Sequence, residues 1–212
     1  MRFADTLNLK KGITAFVGSG GKSSLIAVLA AELREEHSVI VTTTTHIYPL
    51  KPFAERVSAP VHGMLCVGTL CESGKLAAPQ QSFAALSLLA EYILVEADGS
   101  KHFPLKAHAP YEPVIPPEAV GVITVVGASG LNRPVAEAVH RPQHFTALCG
   151  GQTLATPQAV AGVLQAEGFA EVVVINQCDN PASCAAAREL ASYLPGRCCL
   201  ASVQGGTIEC LS

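Results

Sequence analysis

The apolar residues of this chain come in blocks of five to seven, broken by Gly, Pro, Ser and Thr, and the blocks alternate with segments of helical periodicity. Strands covered on both faces by crossover helices read as unbroken apolar runs, so the alternation is that of βα units around a mostly parallel sheet. Gly12 to Val17, Ser38 to Val41, Tyr92 to Val95, Gly121 to Val126 and Glu171 to Ile175 read as such strands. Residues 22–36 place Leu25, Ile26, Val28, Leu29 and Leu33 at helical spacing, with Glu32, Arg34, Glu35 and Glu36 opposite. Helices are also expected over 82–91 and 134–150. Thr156-Pro157 and Asn180-Pro181 each put a capping side chain before a proline at the first helical position, which opens helices over 156–167 and 180–194. Arg197 to Ser202 and Thr207 to Cys210 read as short closing strands.

The expectation is one α/β domain over 1–212, in three layers. Two segments depart from the alternation. Residues 50–79 read as an irregular insertion with a β-hairpin around Val61 to Gly68, and 97–118 as a long proline-rich loop of the kind that carries function.

Charge narrows the classes of partner. With 14 Lys+Arg against 17 Asp+Glu the formal net charge is −3, which leaves no basic field for a nucleic-acid backbone. No apolar run approaches the roughly 18–20 residues of a membrane helix, so a membrane partner is not expected either. Met1-Arg2-Phe3-Ala4-Asp5 lacks the basic-then-apolar pattern of a secretory signal, and a cytoplasmic location is expected. The 8 cysteines include no CxxC pair and sit in apolar contexts, so they read as free, mostly buried thiols.

Between the first strand and the first long helix stands Gly18-Ser19-Gly20-Gly21-Lys22-Ser23-Ser24. Backbone N–H groups of such a loop point at a bound anion, and the helix that follows adds the positive end of its dipole. Lys22 would bridge terminal phosphates and the Ser23 hydroxyl would ligate Mg²⁺. Phe16 stands where the longer phosphate-loop pattern has its first glycine, so this is the shorter GxxGK[ST] form, and the fold expected around it is P-loop NTPase-like. A dinucleotide fingerprint would need a third glycine at Ser23.

Tyr92 to Val95 runs into Glu96-Ala97-Asp98-Gly99. Residues two apart on an extended chain face the same way, so both carboxylates could reach one ion at the carboxyl edge of the sheet. Asp98 is assigned to the magnesium shell, and Glu96 to the metal or to an attacking water; Asp98 could also simply cap the turn before Gly99. Lys101 or Lys106 in the following loop could neutralise developing phosphate charge, or could be solvated. Thr44 and Thr45, in the run Thr42 to Thr45, could present a hydroxyl to the metal or the γ-phosphate, or could be β-favouring residues at a strand end. Lys22, Glu96, Asp98, Lys101 and Lys106 are expected to converge.

Asn176-Gln177-Cys178-Asp179 follows a strand and looks like the NKxD element of GTPases, with Gln177 in place of lysine. An aspartate there accepts the ring N–H and the exocyclic amine of guanine. The alternative is that Asp179-Asn180 cap the next helix. Both GTP and ATP stay open.

Gly18-Ser19-Gly20-Gly21-Lys22-Ser23, Thr42-Thr43-Thr44-Thr45-His46, Glu96-Ala97-Asp98-Gly99-Ser100-Lys101, Pro104-Leu105-Lys106-Ala107-His108, Glu112-Pro113-Val114-Ile115-Pro116 and His140-Arg141-Pro142 occur in that order. Together they resemble the YqeC family, described as selenium-dependent hydroxylase accessory proteins. The resemblance implies a P-loop protein associated with molybdenum hydroxylases that carry a selenium-dependent cofactor, with such an enzyme or a cofactor-maturation protein as partner. A likeness to nickel- and urease-type metal-insertion GTPases is more distant. Three functions follow as expectations: a Mg²⁺-dependent NTPase in such maturation, an ATP-dependent small-molecule kinase or ligase of Mur or dethiobiotin-synthetase type, and a scaffold or selenium carrier using a thiol such as Cys178.

Overall fold

Strand and helix signals in the sequence translate into a three-layer α/β fold, which the computed structural model describes for residues 2–168 and 172–211. The chain runs through α1 (Phe3–Leu7), β1 (Gly12–Gly18), α2 (Lys22–Leu33), β2 (Val39–Thr43), β3 (Phe53–Ala54), β4 (Met64–Val67), β5 (Thr69–Leu70), β6 (Leu76–Ala77) and α3 (Phe83–Ser87). It continues through β7 (Tyr92–Glu96), β8 (Leu105–Lys106), β9 (Ala119–Gly127), a 3-10 turn at Ala128–Gly130, α4 (Val135–Ala138), β10 (Val139–His140) and α5 (Pro142–Leu148). The last elements are α6 (Pro157–Glu167), β11 (Val172–Asn176), α7 (Pro181–Ser192), β12 (Arg197–Ser202) and β13 (Thr207–Leu211).

Nine strands form one sheet in the order β13-β12-β11-β9-β1-β7-β2-β4-β3. Its pairings are parallel except that between β12 and β13. Alternation along each strand divides the core. Phe16, Val41, Leu94 and Val174 join Leu25, Ile26 and Leu29 of α2 on one face, whereas Val173, Ile175 and Leu200 join Val160, Val163 and Leu164 of α6 and Leu190 of α7 on the other. Burying these side chains on both faces supplies the main driving force for the fold, at roughly 25 cal/mol per Å² of apolar surface. No described helix is long and apolar enough to cross a membrane.

The caps follow the sequence. Thr156 accepts a hydrogen bond from Ala159 N at 3.1 Å, and Pro157 opens α6. Asn180 and Ser183 form a reciprocal capping box with Pro181 at the first turn of α7. Ser82 caps α3, which ends at Ser87, before the expected 91.

Two expectations are corrected. No hairpin forms at 61–68: Met64–Val67 is a parallel strand between β2 and β3, and the antiparallel hairpin is the next segment, β5 with β6. The 50–79 insertion thus widens the main sheet, through strands too short and too mixed in polarity to announce themselves. Cys199 and Cys210, opposite one another across β12 and β13, form a disulfide, so these two are not free thiols. The loop over 97–118 packs partly inward, with Leu105, Lys106, Ala107, His108 and Ala109 buried. Glu171, expected to begin a strand, lies outside the described residues.

Candidate functional site

The order of the strands creates the site. β1 lies between β7 and β9, while the chain passes from β1 through α2 to β2, one strand beyond β7. The crossover from β1 leads to β2 on one side and that from its neighbour β9 leads to β11 on the other, and such a switch point opens a crevice at the carboxyl ends of the strands. Gly18 to Ser24 occupies that crevice. Gly20 passes so close to the next strand that an added Cβ would lie 2.2 Å from Gly127 N. At Gly21, with φ +113°, a Cβ would stand 2.6 Å from Asn176 Nδ2. Both positions need glycine to let backbone and side chain approach. No side chain caps the N-terminus of α2, so its first N–H groups remain available to an anion.

Ser23 and Ser24 are exposed, whereas Lys22 is buried. The Lys22 ammonium lies 2.9 Å from Asp98 Oδ1 and donates to the Gly18 carbonyl at 2.5 Å. Asp98, 2% exposed, also accepts from Gly18 N at 2.9 Å. The Ser23 hydroxyl meets Glu96 rather than Asp98, donating to Oε2 at 2.6 Å. Burial pushes the Glu96 carboxyl above its ordinary value, against the pull of Lys22 and Ser23. Asp98 goes the other way: burial would raise it, but Lys22, His108 and Lys106 hold it well below the usual carboxylate range.

The proline-rich loop closes over this pair. β8 pairs with β10, bringing Lys106 beside His140 in register and Arg141 next to it. Lys106 then reaches Asp98 Oδ2 at 3.1 Å, Glu112 Oε2 at 2.8 Å and the Gly99 carbonyl at 2.7 Å. Arg141 holds Glu112 with two hydrogen bonds, 2.8 and 3.3 Å. His108 bridges two carboxylates, Nε2 to Asp98 Oδ2 and Nδ1 to Glu167 Oε2, each at 2.7 Å. Burial alone would lower the imidazole, but the two carboxylates raise it net above its ordinary value. The loop is pinned further by the Ser19 hydroxyl donating to the Phe103 carbonyl and by Gly127 N donating to the Pro104 carbonyl at 2.9 Å.

The threonine run belongs to the same edge. Thr43 donates to the Glu96 carbonyl at 2.8 Å, Thr44 donates to the Val114 carbonyl at 2.7 Å, and Thr45 lies against Gly99. Lys101 does not join. It stands exposed in a turn with positive φ and has no ion pair among the described residues.

A second part of the site lies at the end of β11. Asn176, 4% exposed, donates to the Gly20 carbonyl at 2.8 Å and accepts from Val203 N at 3.1 Å. It thereby ties the glycine-rich loop to the turn after β12. Asp179 is exposed and accepts from the Ser202 hydroxyl at 2.5 Å. Asn180, not Asp179, caps α7. An open cleft of about 260 Å³ runs from Gly21 and Ser24 to Asn176, Asp179 and Gln204.

Sequence reasoning missed Glu167, Ser202 and Ser129. Glu167 did leave a signal, since a carboxylate closing a helix opposes the dipole and so suggests a cationic partner, here His108. Ser202 and Ser129 are unremarkable in sequence and gain meaning only from their neighbours.

A glycine-rich loop between a central parallel strand and its helix, backed by carboxylates from the adjacent strand, defines a three-layer P-loop-like α/β protein. The YqeC protein family matches residues 14–143. A protein of Escherichia coli (strain K12), named Uncharacterized protein YqeC, is 33% identical over 180 residues, covering 74% of this chain and 69% of that relative. The chain belongs to the YqeC family.

Proposed function

We propose that this protein is a Mg²⁺-dependent nucleoside triphosphatase, with GTP or ATP as substrate, assisting maturation of a selenium-dependent molybdenum hydroxylase or its cofactor. The observation that carries the nucleotide reading is the joining of the uncapped α2 terminus, Lys22 and the Ser23–Glu96 pair at one crevice, with an open cleft beside it. The link to the hydroxylase rests on the family resemblance alone.

Oxygen donors suit a hard cation, and Ser23 with Glu96 supplies a hydroxyl and a carboxylate already in contact, so these two fit Mg²⁺; Asp98 would act through water. Bound there, the ion would neutralise charge on the terminal phosphates. Backbone N–H groups of Gly18 to Ser24 would hold the phosphate oxygens, and Lys22 would stabilise charge as a water attacks the terminal phosphorus and the bond to the leaving diphosphate breaks. Thr44, Thr45 and the exposed Lys101 lie on segments that could respond to the γ-phosphate.

One observation disfavours the selenium-carrier reading. The Cys178 thiol donates to the Ile175 carbonyl, and burial pushes its pKa up to about 12, which disfavours the thiolate a selenium carrier requires. The test is thermal stabilisation by GTP, ATP and their non-hydrolysable analogues with Mg²⁺, followed by phosphate release. Stabilisation that disappears in Lys22→Ala supports the reading, and equal stabilisation in the mutant overturns it.

A further inference from the structure

We infer that the cleft beside the glycine-rich loop selects guanine over adenine, with Asp179 as the residue that reads the base and Ser202 as the residue that positions it. This rests on the nucleotide reading above. Asp179, Ser202 and Gln204 lie beyond the 14–143 stretch that matches the family.

Asp179 neither caps the helix nor joins an ion pair among the described residues. Asn180 caps α7, accepting from Ser183 N at 3.0 Å. Its Oδ1 is fixed by the Ser202 hydroxyl, which in turn accepts from Gly205 N at 3.1 Å. The chain from backbone to hydroxyl to carboxylate orients Asp179 at the cleft wall and leaves it acceptor capacity. Guanine offers two adjacent donors, its ring N1–H and its exocyclic N2 amine. Adenine has a bare ring nitrogen at N1, which would face the carboxylate with like polarity.

The opposite requirement, a donor for the O6 carbonyl of guanine, is met nearby. Gln204 lines the cleft, and its backbone N–H has no hydrogen-bond partner among the described residues. Adenine carries a donor amine at that position and would leave this N–H unpaired. Asn176 links the two halves, because it holds both Gly20 of the phosphate loop and Val203 of the base-side turn. The distance between phosphate and base positions is thereby set by one buried side chain. Gln177, with φ 65°, accepts through its side-chain oxygen from the Ser129 hydroxyl at 2.6 Å, and both residues line the cleft.

The experiment titrates the full chain with GDP, ADP and XDP in the presence of Mg²⁺, by calorimetry or a competition assay. GDP is expected to bind at least about 100-fold more tightly than ADP, as in sites built around hydrogen-bonded polar groups. Asp179→Asn should weaken GDP and strengthen XDP, because the amide oxygen still accepts from N1–H while its NH₂ now donates to the 2-oxo group of xanthine. Ser202→Ala should lower the GDP-to-ADP preference by about tenfold, the worth of a hydrogen bond to a charged group. A purely structural role for either residue would move all three nucleotides together. Equal binding of GDP and ADP, or no gain for XDP in Asp179→Asn, overturns the guanine inference and leaves the phosphate loop standing. Binding of none of the three overturns both. Asp179 is exposed, so its variant is expected to fold, and unchanged thermal unfolding without ligand checks this.

Discussion

The glycine-loop end and the Asp179 end of the crevice are built on opposite principles. At the glycine loop, Lys22, Lys106 and His108 are buried and all bonded to the buried Asp98. At the other end, Asp179 is exposed and has one hydrogen bond from a serine. Buried charges fix geometry but depend on every partner, since removing one leaves another desolvated and unpaired. An exposed carboxylate contributes little to folding and is available to a ligand. The same crevice therefore has one end set by the fold and one end open to substitution.

The largest effect that would sharpen this contrast is at Asp98. Asp98→Asn leaves Lys22, Lys106 and His108 without their shared anion, and a loss of about 3–5 kcal/mol is expected in urea unfolding. A loss below about 1 kcal/mol would mean that the buried network does not hold the loop. Ser23→Ala also removes the hydrogen bond to the buried Glu96, so it should cost about 1–2 kcal/mol in unfolding and lose the Mg²⁺-dependent part of nucleotide stabilisation. Retention of the full Mg²⁺ effect would move the metal to other donors.

The pH dependence separates the two ends further. His108 has a raised pKa in the folded state, so its contribution is fully present below the unfolded value of about 6.5 and is lost as pH rises through the folded value. Asp98 has a depressed pKa, so its contribution is present above the unfolded value of about 3.8 and is lost only as pH falls through the folded one. Unfolding free energy measured from pH 6 to 9 should decline in wild type, and His108→Gln should flatten that slope while lowering stability overall. An identical slope in the variant would assign it to other groups. The smallest effects belong to the exposed pairs: Asp179→Ala without ligand, and Arg133→Ala at the solvent-exposed Arg133–Glu137 pair, should each stay within about 0.5 kcal/mol of wild type. A larger loss at Asp179 would erase the distinction drawn between the two ends.

Much of this was legible from local pattern. Apolar runs gave the parallel strands, Thr156-Pro157 and Asn180-Pro181 gave two helix starts, and the glycine-rich loop was placed between β1 and α2. The edge strands β3 and β4 were not legible, since a two-residue and a half-buried four-residue strand carry too little periodicity. The partition of the carboxylates was not legible either. Residues two apart on a strand were expected to share an ion, but the chain leaves β7 after Glu96, so Asp98 meets Lys22 while Glu96 meets Ser23.

The sequence by itself determined the periodicities, the caps and the place of the glycine-rich loop, because each depends on residues within a few positions of one another. Tertiary structure decided which distant charges meet. His108 finds Glu167 across 59 residues of chain, and Asn176 finds Gly20 across 156. Such pairings are selected by sheet order and by the desolvation cost of leaving a buried charge or amide unpaired, and no local pattern encodes either.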